Sequence, residues 1–172
     1  MNTGQTLLSL GAFMLLSTIL LNFYSVLASS GDIIANGQDG ILATTIATSH
    51  MEVAQGLAFD EVTDTSDAAI TNVSLLTSAG SLGPDGSAED SISAFNDFDD
   101  FNNFSIEEEA SGTNRRYRTS FKVYYVDPAN VDNTTTTRTF VKRMDLRTWR
   151  TFPPGAVDTL QLSVVLGYFH FD

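Results

Sequence analysis

A chain of 172 residues with no cysteine and a formal net charge of −12 excludes several roles at once. It has no disulfide framework, thiol nucleophile or thiolate metal site. So acidic a chain also argues against nucleic acid or anionic lipid as a partner.

The first 31 residues carry no charged side chain, and the run from Leu7 to Ala28 (LLSLGAFMLLSTILLNFYSVLA) is almost wholly apolar. About 20 such residues at ~1.5 Å rise each match the ~30 Å hydrocarbon core of a bilayer. So long an apolar helix does not stay exposed to water; it belongs in lipid or in a bundle of identical helices. A secretory signal peptide is one reading, with Ala28-Ser29-Ser30-Gly31 as its cleavage site, but the MNTGQT start lacks the basic n-region. A single-span anchor is a second, and it lacks the usual basic cytoplasmic flank. A helix that packs with copies of itself is the third.

Beyond Gly31, Ile34, Ile41, Thr45 or Ile46, Met51 and Ala54 recur at mixed steps of about one or two helical turns, which predicts a continuing amphipathic helix to about Asp60. Asp32 suits the positive end of a helix dipole. Gly37 and Gly40 each weaken a helix by up to ~1 kcal/mol relative to Ala, so an unwound or bent stretch is expected around Gly31 to Gly40. The half from Ile41 to Phe59 should lay an apolar face on a sheet, with Ile46, Met51, Val53 and Leu57 as its contacts.

Residues 61–114 are rich in Asp, Ser, Gly, Asn and Thr. Ala69 to Thr77 reads as a short strand, and Gly83-Pro84-Asp85-Gly86 as a turn. Phe95, Phe98, Phe101 and Phe104 recur every third position, a period that fits a 3₁₀ turn or tight loop tucking rings under the sheet. Between them Asp97, Asp99 and Asp100, with Asn96, Asn102 and Asn103, offer hard oxygen ligands of the kind Ca²⁺ prefers, without the glycine and terminal glutamate of an EF-hand loop. A solvated acidic loop over residues 79–114 is the other reading. Asn72, Asn103 and Asn133 each head an N-glycosylation sequon.

The character then changes. Arg116 to Asp127 alternates, with Tyr117, Thr119, Phe121, Val123 and Tyr125 on one face, and Asp127-Pro128 stops it. Thr136 to Trp149 and Asp158 to Phe171 are two further strands, separated by Pro153-Pro154-Gly155. The class is α+β: a long hydrophobic N-terminal helix packed on a three- to four-stranded antiparallel sheet. The predicted parts are an apolar helix over 1–31, its amphipathic continuation over 32–60 and a β domain over 61–172. Charge divides at a different point, within the β domain. Residues 1–114 hold sixteen acids and no base, whereas all nine Lys and Arg lie from Arg115 to Arg150. Such a subunit attracts copies of itself, or else its basic residues pair with its own acidic loops.

Catalysis has little to stand on. His50 falls in the helix and His170 in the last strand, both read as structural, and no P-loop, dinucleotide fingerprint or HExxH occurs.

The run GQTLLSLGAFMLLSTILLNFY opens on a glycine, a short polar stretch and then the apolar helix. It resembles the N-terminus of type IV pilins and related pilin-like filament subunits. The resemblance covers about the first 60 residues by motif and the rest by architecture. It implies a structural subunit, not an enzyme and without a cofactor. Such a subunit is inserted in a membrane as a precursor, handled there by inner-membrane assembly machinery, and polymerised into an extracellular filament for attachment, motility or contact. The implied filament core includes Gln5, Leu7, Leu8, Ser9, Leu15, Leu16, Ile19, Leu20, Leu21 and Phe23. One departure stands out. The glutamate usual at the fifth mature position is replaced by Gln5 if Met1 is the first mature residue, or by Ser9 if cleavage follows Gly4. A neutral hydrogen bond then takes the place of the usual salt bridge. The alternative function is a monomeric membrane-anchored β domain that binds a ligand through its acidic loop.

Overall fold

The structure, a computed structural model, describes residues 2–155 and 158–169. It divides into two units, residues 1–39 and 40–172. Helix α1, Thr3–Gln55, supplies the first unit and enters the second. It is helical at Gly31, Gly37 and Gly40, which corrects the expected unwinding. The segment contains no proline, and a glycine costs only about 1 kcal/mol where a proline would cost about 3. Thr44, Thr45 and Thr48 also tie their hydroxyls to carbonyls one turn back.

In the second unit the C-terminal turns of α1 lie on an antiparallel sheet of five strands: β1 (Ser105–Glu109), β2 (Arg116–Asp127), β3 (Asn130–Thr135), β4 (Val141–Phe152) and β5 (Leu160–Gly167). The path runs β1-β2-β4-β5, and β3 pairs with β2 beyond the end of β1. The alternation read in the sequence holds along β2 and β4. Tyr117, Thr119, Phe121, Val123 and Tyr125 are buried on β2, and Lys142, Met144, Leu146 and Thr148 on β4. The register places Thr119 opposite Thr148 and Phe121 opposite Leu146, and the two threonine hydroxyls lie 3.0 Å apart in the core. On the outer face Glu107 of β1 pairs with Arg116 and Arg118 of β2. Arg143 of β4 pairs with Asp145 and Asp132. Much of the basic strand charge is therefore answered within the subunit.

Three expectations change at this level. Residues 69–77 form no strand; Val73–Leu75 is a 3₁₀ turn capped by Asn72, whose Oδ1 accepts from Ser74 N–H. The second predicted strand starts at Val141 instead of Thr136. The Thr139 hydroxyl bonds the carbonyls of Val126 and Val141 and holds the entry to β4 in an irregular turn. Strands β1 and β3 were not expected. His170 and Phe171, assigned to the last strand, lie outside the described residues.

The face that α1 turns to the sheet is built from small residues. Ala43, Ala47 and Ala54 are buried with His50, while Met51, Leu57 and Ile46 pack at the margins. Val53, expected in this contact, is 42% exposed. Alanine lets the helix backbone approach Phe121, Val123 and Met144 closely, and the bulk that fills the layer comes from the sheet side.

Candidate functional site: an exposed apolar helix and a buried lysine centre

The N-terminal part of α1 presents its large side chains outward. Leu7, Leu8, Leu15, Leu16, Ile19, Leu20, Leu21 and Phe23 are exposed, from 46% at Leu20 to 77% at Leu8. The helix is long and apolar enough to cross a membrane. Three of its hydroxyls bond back to the helix itself. The Ser9 hydroxyl donates to the Gln5 carbonyl at 2.9 Å, Thr6 to Thr3 at 2.9 Å and Thr18 to Leu15 at 2.8 Å. Ser9 thus bonds one turn back along its own helix. What the segment offers a partner is apolar surface in several directions, with no charge to desolvate.

The second unit contains a feature the sequence reading missed. Lys142 is fully buried, and Nζ donates to the Phe59 carbonyl at 2.8 Å, to Asp60 Oδ2 at 2.8 Å and to the Asp99 carboxylate. An ammonium has three N–H groups, and all three have acceptors. The Phe59 ring lies 4.6 Å from Nζ. Asp60 also accepts from Thr77 N–H and from the Tyr125 hydroxyl, the latter at 3.3 Å. The signal was present in the alternation of β4, which sets Lys142 on the same face as Met144 and Leu146.

Asp97, Asp99 and Asp100 are all buried, which removes them from the solvated loop of the sequence reading. Phe95, Phe98 and Phe101 are tucked into the core as expected, around a 3₁₀ turn at Asp99–Phe101. The carboxylates hold that turn. Asp97 Oδ1 accepts from the N–H of Asp99 and Asp100, and Asp100 Oδ2 from the N–H of Asn96 and Asp97. Among the described residues no three carboxylates or imidazoles are grouped to hold a metal ion. The calcium reading of Asp97, Asp99 and Asp100 therefore gives way to backbone donors and an internal lysine. Burial, together with the charges of Asp99 and Asp100, pushes Asp97 up to about 8. Burial also raises Asp99, and the Lys142 charge pulls it back to about 6. Tyr125 is raised as well, by burial and by Asp60.

The sequon residues Asn72, Asn103 and Asn133 are exposed. Asn103 has φ 61°, a left-handed conformation that asparagine tolerates, at the entry to β1.

A long apolar N-terminal helix leading onto an antiparallel sheet is compatible with a pilin-like fold. Comparison with family models, with curated protein sequences and with solved structures finds no significant match to this chain.

Proposed function

We propose that this chain is a structural subunit that polymerises through its N-terminal helix into an extracellular, type IV pilus-like filament. A membrane-inserted precursor and inner-membrane assembly machinery would precede polymerisation. The observation that carries the reading is the exposure of eleven large apolar side chains between Leu7 and Phe23, on a helix segment without a charged side chain. Each such side chain gains roughly 1.5–3 kcal/mol on leaving water. Bundling with copies supplies that burial, and head-to-tail contacts that do not close generate helical fibres. Against the alternative of ligand binding through the acidic loop, Asp97, Asp99 and Asp100 are turned inward, which leaves its exposed acids to Asp85, Asp90 and the strand β1.

The test is to place a charge in the apolar surface. Leu15→Asp or Leu21→Asp should abolish filaments while the sheet domain keeps its circular dichroism and cooperative melting. Normal filaments from either variant would count against the proposal.

A further inference from the structure

The geometry points to a covalent isopeptide bond between Nζ of Lys142 and Cγ of Asp99, formed by the folded subunit itself with loss of water. It is independent of the filament reading.

Four observations converge on it. Lys142 and Asp99 are in direct contact and are both buried, so water neither separates nor solvates them. The amine is held from its other sides by the Phe59 carbonyl and Asp60, and by the faces of Phe59 and Tyr125. The nucleophile and its target therefore have little freedom left to lose, and proximity of this kind replaces the entropy cost of a bimolecular condensation. Two further carboxyl groups adjoin the pair. Asp60 lies 2.8 Å from Nζ, and the Asp97 carboxyl sits beside Asp99, accepting its backbone N–H at 2.7 Å. Finally, one buried cation here faces two carboxylates, with Asp97 beside them. Condensation removes one positive and one negative charge from a site where each is costly to keep.

The step balances without an outside reagent. A proton passes from Nζ to the Asp99 carboxylate, leaving an amine and a carboxylic acid, the forms that burial favours. The nitrogen lone pair adds to Cγ and the N–C bond forms. Asp97, which burial keeps protonated near neutral pH, gives its proton to the oxygen that gains the carbonyl electron pair. Asp60 takes the second proton from nitrogen and passes it to the departing hydroxyl. The C–O bond breaks, water leaves, and the remaining hydroxyl proton returns to Asp97. Nothing is oxidised or reduced. The product ties β4 to the phenylalanine-rich loop, so that this loop cannot be pulled away from the sheet without breaking an amide.

The experiment is intact-mass measurement of the full-length chain, followed by peptide mapping. The expected result is a mass lower than that of the sequence by one water, with a branched peptide joining Lys142 to Asp99. Lys142→Met and Asp99→Ala should each restore the sequence mass of the variant. Asp97→Asn, which retains the acceptor oxygen for the backbone, should fold and remain mostly unlinked. A wild-type chain of full sequence mass would overturn the assignment. So would a lost water mapped to a succinimide or to Asp60, and linkage as complete in Asp97→Asn as in wild type would remove Asp97 from the mechanism.

Discussion

His50 Nε2 lies 3.1 Å from Glu108 Oε1, joining the helix α1 to the edge strand β1 across the interior. The carboxylate can only accept, so Nε2 carries the proton. The imidazole also stands edge-on to Phe121, with ring centroids 5.5 Å apart. His50→Ala should lose this bond and the ring contact, and leave the partly buried Glu108 without its partner. The expected cost is about 1–3 kcal/mol in denaturant unfolding. Amide exchange should quicken first over Ser105–Glu109, because β1 is the strand this bond holds. Uniform loss of protection across β2 and β4 would show that the contact supports the whole sheet.

The alanine face of α1 gives a second test. Ala47 and Ala54 are fully buried against the sheet, whereas Val53 looks outward. Ala47→Leu should destabilise the second unit by about 1–3 kcal/mol through overpacking. Val53→Ala should change stability by no more than about 0.5 kcal/mol. The opposite order in thermal or denaturant unfolding would mean that the helix sits in a different rotation.

Asp97 sets a pH dependence. Burial, then the charges of Asp99 and Asp100, raise its carboxyl from 3.8 to about 8, with Lys142 opposing. Between those values the folded chain keeps a proton that the unfolded chain has released. Stability therefore falls as pH rises from about 4 to about 8, by at most about 1.4 kcal/mol per pH unit. Asp97→Asn removes the titration while its Oδ1 still accepts from Asp99 and Asp100 N–H. Between pH 4 and pH 8 the denaturant midpoint should fall less in the variant than in wild type, whatever constant offset separates the two curves. Parallel curves would contradict this.

How the sequence encodes these features varies by element. Helix α1 and strands β2, β4 and β5 were legible because each carries its own pattern, an uncharged apolar run or a strict alternation. Strand β1 was hidden because Glu107 and Glu109 read as acidic loop until Arg116 and Arg118 stand opposite them. Strand β3 lacks an inward face, and its order comes from the hairpin with β2. Ala54 falls in the apolar periodicity, but Ala43 and Ala47 do not stand out beside larger neighbours, since close approach of a helix favours small residues and periodicity alone does not measure distance. The exposed surface Leu7–Phe23 was fully legible. The lysine centre was half so: alternation sets Lys142 inward, but nothing local brings Asp60 and Asp99 to it.

Separation of the two units is testable by truncation. Among the described residues every buried apolar side chain lies at or beyond Ala43, so a chain beginning at Ile33 should be soluble without detergent, monomeric and cooperatively folded. An unfolded circular dichroism spectrum would show that the apolar helix is needed for the sheet domain to fold.

The central claim is that Leu7–Phe23 is covered by copies of itself. Negative-stain imaging of native material sheared from cells that make this protein tests it most directly, with the chain identified in the sheared fraction by mass spectrometry. The account predicts uniform micrometre-scale fibres composed of this subunit. Recovery of the chain only as a detergent-extracted monomer, with no fibres in the sheared fraction, would contradict it.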